Sequence, residues 1–189
     1  MHLKALLEMG FQKAREKSFT SPSLQILHRA RSREWVETLA DGFRQYYQSD
    51  ERVCVFSKHN DSLRKKFGLN ELLYDIFVCR VGVVESARHK KELLYVREAL
   101  WQIESEFARD SRQALVDFNK LVLGSARNKL FIGPQVSDPE SFLGVLLPAA
   151  CACAGSVHIS LIPHPRDWDK GEYSINLWKL VSGRWEPLE

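Results

Sequence analysis

The sequence predicts a three-layer α/β sandwich around a mixed β-sheet. Three observations carry the prediction: an amphipathic helical stripe ahead of several β-type apolar runs, an alternation of helix and strand signals after residue 110, and a length of 189 residues, enough to bury the core of one compact domain. Residues 1–32 read as an N-terminal helical extension and residues 33–189 as a single α/β domain.

Leu3, Leu6, Leu7 and Phe11 recur among charges over residues 2–17, which predicts a short amphipathic helix, interrupted at Ser21-Pro22-Ser23. Trp35, Leu39, Phe43 and Tyr46 or Tyr47 predict a stronger helix, with Ser32 as its N-cap, Gln48-Ser49-Asp50 as its end, and Glu34, Glu37 and Asp41 on its polar face. Val53-Cys54-Val55-Phe56 is a short β-type run, His59-Asn60-Asp61 a turn signal, and residues 71–84 read as a long buried strand. Between His89 and Phe107 the stripe Leu93, Val96, Leu100, Ile103 and Phe107 fits a helix, yet Trp, Ile and Phe alternate with polar residues from 101 to 107. The segment is expected to be helix or loop to about residue 97 and strand thereafter.

Asp110-Ser111-Arg112-Gln113 has the form of a capping box, with Asp110 accepting from first-turn amides and Gln113 reaching back. The helix it opens turns Ala114, Leu115, Phe118, Leu121 and Val122 toward a core and stops at Gly124. Leu130 to Pro134 then reads as a strand, Pro139 to Ala150 as a helix with proline in its first turn, Val157 to Ile162 as a strand, and Tyr173 to Trp185 as a hairpin turning at Gly183.

With 44% hydrophobic and 27% charged residues, the composition is that of an ordinary globular protein, and no apolar run approaches the length of a membrane span. Lys4 and Glu8 interrupt the apolar N-terminus, so no secretory signal is expected and the protein is expected to be cytoplasmic. Cys54, Cys79, Cys151 and Cys153 lack CxxC or His spacing and are expected to be structural thiols; His158 and His164 likewise match no ligand spacing. A net charge of +3 is small, but Lys13, Arg15, Lys17, Arg29, Arg31 and Arg33, then Arg64, Lys65 and Lys66, then Arg88, His89, Lys90 and Lys91 form basic groups able to track phosphates.

The acids are the most informative feature. In an extended segment Glu104 and Glu106 share one face, and Asp75 on a neighbouring strand would bring a third carboxylate to them. Like charges so placed raise one another's pKa and are relieved by a cation, which for hard oxygen donors means Mg²⁺, Mn²⁺ or Ca²⁺. On a helix, Glu104 and Glu106 would diverge by about 200° and the chain would be an unrelated α/β domain.

The order of elements and acids over residues 33–162 resembles the PD-(D/E)xK, or restriction-endonuclease-like, nuclease superfamily. There a helix that often bears a Glu precedes a strand meander, an Asp sits on one central strand, Glu-x-Lys or a variant on the next, and a helix and a further strand follow. The resemblance implies a restriction-endonuclease-like sandwich and makes Glu37 the accessory acid, Asp75 the strand Asp, and Glu104-Ser105-Glu106 a Glu-x-Glu variant of the second element. Asp75, Glu104 and Glu106 would hold Mg²⁺ or Mn²⁺, Glu106 would also act as base, and Lys120 on the following helix would supply the positive charge absent at position 106. The implied activity is endonucleolytic hydrolysis of nucleic acid, DNA above RNA, with phosphate contacts from Arg64, Lys65, Lys66, Arg88, Lys90 and Lys91, no membrane partner, and a homodimer or larger assembly left open. The rival is a non-catalytic binding or scaffold subunit of the same fold, which the missing Lys and the small net charge favour.

Overall fold

Strands buried on both faces need cover on both faces. In the computed structural model, which describes residues 2–20, 23–69, 71–88, 90–171 and 173–189, α1 (Leu3–Glu16) and α2 (Leu24–Tyr46) cover one face of a sheet. The other face is covered by α4 (Ser111–Val122) and α5 (Pro139–Ala152). The described strands form one mixed sheet in spatial order β1 (Val53–Ser57), β2 (Ile76–Ser86), β3 (Lys91–Ser105), β4 (Asn128–Pro134), β5 (Ser156–Ile162), β6 (Asn176–Val181) and β7 (Arg184–Pro187). β1 to β3 are an antiparallel meander, β3 to β5 run parallel, and β6 and β7 add an antiparallel hairpin. The parallel pairs need crossovers, which α4 and α5 provide. Period-two alternation sorts the core: Leu130 and Ile132 of β4 face α1 and α2, whereas Phe131 faces α4 and α5.

The second helix starts earlier than expected. Ser23, not Ser32, is its N-cap, the Ser23 hydroxyl accepting from the Ile26 amide at 3.3 Å, and Ser32 lies inside the helix. Its first turns carry no apolar stripe; they are held instead by tertiary bonds such as Arg31 Nη1 to the Pro165 carbonyl at 2.8 Å, which no local pattern announces. Residue 32, the expected end of an extension, thus falls within one continuous helix, and Leu7, Phe11 and Ala14 of α1 are buried with Trp35 and Leu39 of α2 in one cluster with the sheet. Of the expected break at Ser21-Pro22-Ser23, the first two residues lie outside those described.

The expected helix or loop before residue 97 is strand: β3 is extended from Lys91 onward. The expected strand at 71–84 begins only at Ile76, and its outer half is exposed rather than buried. Both corrections have one cause. β1 pairs with β2 only as far as Arg80 and β4 pairs with β3 only from Trp101, so the outer parts of β2 and β3 pair with each other alone and project as a ribbon. Val83, Val84, Leu93, Leu94, Tyr95 and Val96 are exposed on it, and its apolar spacing imitates a helical stripe.

A short helix, α3 (Asp61–Phe67), follows the turn signal at His59-Asn60-Asp61; Asn60 caps it and Gly68, at φ 77°, ends it in the left-handed region that glycine adopts without strain. In α4, Asp110 caps the Arg112 amide at 2.9 Å as expected, but Gln113 bonds Asp117 at 3.1 Å instead of reaching back. Gly124 does follow the helix, where a Cβ would meet Gln102 Oε1 at 1.9 Å. The β6–β7 turn is Ser182-Gly183, both at positive φ, which suits a two-residue hairpin. All four cysteines are free; Cys79 is buried, while Cys151 is exposed on the last turn of α5. Among the described residues no helix is long and apolar enough to cross a membrane.

Candidate functional site

The antiparallel register sets the two central acids side by side. Ile76 pairs with Ile103, so Asp75 and Glu104 occupy the next opposed positions, Asp75 just ahead of β2 rather than embedded in it, and Glu104 near the end of β3. Asp75 Oδ2 accepts from the Ser105 amide at 2.9 Å, and Oδ1 lies 3.2 Å from Lys58 Nζ. Glu104 is 2% exposed, with Oε2 at 3.1 Å from Lys120 Nζ and a buried Oε1 that has no partner among the described residues. Burial, and then the Asp75 charge, push the Glu104 pKa up to about 8, against the pull of Lys120.

Glu106 continues the alternation. Its amide donates to the Ile132 carbonyl at 2.9 Å, extending the ladder past β3, and like Glu104 it turns to the α4 side, where its carboxyl bonds that of Asp117. Burial raises the Glu106 pKa, the Ala108 amide at 2.5 Å opposes this, and Asp117 adds to it. Asp117 goes the other way: burial pushes it up, but bonds from Lys120, Gln113 and Glu106 outweigh burial and hold it below the usual range. Lys120 sits between Glu104 and Asp117, 2.7 Å from the latter; burial works against its charge, but the two acids outweigh it and raise its pKa.

A cleft of about 650 Å³ opens at this edge of the sheet, lined by Asp75, Glu106 and Lys58 on the sheet side and by His28, Arg29 and Arg33 of α2 on the other. Glu104 and Lys120 are not among its lining residues. Asp75 and Glu106 thus line the cleft, while Glu104, still inside β3 where Glu106 lies past its end, is buried and does not. Glu37 stands beside Ser57, whose hydroxyl donates to Oε2 at 3.0 Å, and its Oε1 is buried without a partner among the described residues.

The basic groups singled out for phosphate contacts lie elsewhere. Arg64, Lys65 and Lys66 are on α3, which packs through Phe67 against Phe56 on the α4 side of the sheet. Arg88, Lys90 and Lys91 are at the ribbon tip; β2 spans 11 residues, so at about 3.3 Å per residue the tip is roughly 30 Å or more from Asp75. His89 lies outside the described residues. His158 and His164 are kept neutral, burial pushing each down to about 4, and His164 also lines the cleft. Lys58 and Asp117 are site members whose sequence signals were weak: one follows a strand, the other is three residues from Lys120 on a helix and reads there as a surface ion pair.

Among the described residues no three His, Cys, Asp or Glu side chains stand close enough to hold one metal ion together. Mg²⁺, however, commonly takes one or two carboxylates with waters and substrate oxygens. Asp75 and the unpartnered oxygen of Glu104 are hard oxygen donors, and in their donor chemistry they fit such an ion, although a lysine already lies within 3.2 Å of each carboxyl. Comparison with known proteins gives no match: no family model, no curated protein and no solved structure is similar to this chain.

Proposed function

We propose that this protein is a divalent-metal-dependent phosphodiesterase of the PD-(D/E)xK kind, in its Glu-x-Glu form, acting on nucleic acid and on DNA above RNA. The observation that carries the reading is Glu104: a buried carboxyl with one unpartnered oxygen, opposed to Asp75 across the β2–β3 register and touched by Lys120 from the next helix. The order α2, β1–β2–β3 meander, α4 and parallel β4 is the order the resemblance implies, with α3 inserted, and supports a restriction-endonuclease-like fold.

Asp75 and Glu104 would hold Mg²⁺ or Mn²⁺, which when bound polarises a phosphate and lowers the pKa of water. Lys120, after a shift from Asp117, would face charge developing on the phosphate. Glu106 lines the cleft with a raised pKa, which suits a group that takes a proton from the attacking water; the phosphorus–oxygen bond to the leaving sugar breaks and that oxygen gains a proton. The test is cleavage of circular, linear and single-stranded substrates in Mn²⁺ and Mg²⁺. The expected result is cleavage by wild type and a loss on the order of a hundredfold or more in Asp75→Asn and Glu104→Gln, the scale of removing preorganised charge. Wild type that cuts none of these overturns the reading.

The second reading, a non-catalytic nucleic-acid-binding subunit, is favoured by one observation: Lys58 and Lys120 already neutralise Asp75 and Glu104. Binding without cleavage in either metal would select it.

A further inference from the structure

We infer that the nucleic-acid backbone is gripped at this site by Arg29 and Arg33 of α2, not by the α3 or ribbon-tip basic groups. The two arginines are four apart on one helix, hence on one face, and both line the cleft that ends at Asp75. Both are exposed, and neither has an ion pair among the described residues. Their neighbours differ in this: Arg31 holds Asp169 at 2.6 Å, and Arg109 holds Asp167 at 3.0 Å. Arg29 and Arg33 keep their donors for a ligand.

Guanidinium forks match phosphate oxygens bidentately, and the four-residue spacing of Arg29 and Arg33 sets two such forks side by side on the α2 wall of the cleft. The sheet wall opposite carries Asp75 and Glu106 together with Lys58, which already pairs with Asp75, so the arginines free of ion pairs in the cleft are those of α2. That arrangement suits a phosphodiester chain: one phosphate is held at the arginines while the next lies toward the acids. None of the α3 or ribbon-tip groups is among the residues that line this cleft.

The inference rests on reading the site as directed at nucleic acid, but binding without metal tests it apart from cleavage. A labelled oligonucleotide is titrated with the full-length chain in EDTA over a series of salt concentrations. Arg29→Ala and Arg33→Ala are expected each to weaken binding about tenfold and to lower the slope of log K against log salt by about one, the sign of one lost phosphate contact. Arg29→Lys, which keeps the charge but not the fork, is expected to recover the slope and only part of the affinity. Lys66→Ala and Lys90→Ala are expected to leave both unchanged. Wild-type affinity and slope in both arginine variants would overturn the inference, as would a loss carried by Lys66 or Lys90. Inorganic phosphate serves as the second probe: if it raises the melting temperature through Arg29 and Arg33 while no oligonucleotide binds, the cleft takes a free phosphate and the backbone assignment fails. Binding through the arginines in a protein that cuts nothing would uphold this inference and sink the hydrolytic reading; cleavage with unaffected arginine variants would do the reverse.

Discussion

Lys120 Nζ stands 3.1 Å from Glu104 Oε2, joining α4 to the end of β3 across 16 residues of sequence. The lysine also holds Asp117, so one ammonium serves two carboxylates while Asp75 and Glu106 lie close by. Lys58 in turn pairs with Asp75, so the carboxyl groups of this pocket outnumber the lysines that serve them.

Divalent metal should stabilise the fold. A cation that binds only the folded chain adds RT ln(1 + [L]/Kd), about 2.7 kcal/mol at a hundredfold excess over Kd. Mn²⁺ is expected to raise the melting temperature of wild type, more at pH 8 than at pH 5.5, because binding must displace the proton that burial keeps on Glu104. A shift that persists undiminished in Asp75→Asn and Glu104→Gln would place the metal elsewhere.

Without metal, Glu104 should make stability fall as pH rises. Its folded pKa of about 8 lies above the ordinary glutamate value of 4.5, so its contribution is fully present below pH 4.5 and is lost as pH climbs through 8. The melting temperature of wild type minus that of Glu104→Gln, measured from pH 4 to 9, is expected to decline across that window. A flat difference would mean that the carboxyl has the same pKa folded and unfolded.

Removing the lysine should cost more than removing the pair. Lys120→Met leaves Glu104 buried and uncompensated; with the lysine partly exposed the cost is expected to be about 2–3 kcal/mol, below the roughly 3–5 kcal/mol of a fully buried pair. Adding Glu104→Gln is expected to restore part of this, giving a favourable coupling in urea denaturation. Simple additivity of the two changes would show that they do not interact.

Two glycines should respond in opposite directions to alanine. At Gly124 a Cβ would collide with Gln102, whose Oε1 accepts from the Ala126 amide at 3.2 Å, so Gly124→Ala is expected to destabilise by about 1–3 kcal/mol. At Gly144, inside α5, nothing lies within 4 Å, and Gly144→Ala is expected to stabilise by about 0.5–1 kcal/mol. Denaturation midpoints of the two variants decide both signs.

The layers, and the shared face of Glu104 and Glu106, are legible along the chain. Strong local signals make them so: period 3.6 in Trp35, Leu39 and Phe43, capping at Asp110, proline opening α5, and period two at residues 101–107, which set Glu104 and Glu106 on one face. Tertiary structure decided the rest. The β2–β3 ribbon is extended although Leu93, Val96 and Leu100 fit a helix, because cross-strand pairing from Ser86↔Lys91 inward satisfies the backbone and a local stripe cannot report a partner strand. The first turns of α2 depend on Arg31 reaching Pro165, 134 residues away, and α2 in turn carries Arg29 and Arg33 to the cleft. Which acids meet water was likewise undetermined: alternation gives Glu104 and Glu106 one face, but Glu104, still inside β3, is buried, whereas Glu106, past the end of the strand, lines the cleft with Asp75. Periodicity acts between near neighbours along the chain, whereas burial and charge pairing act between elements brought together only by folding.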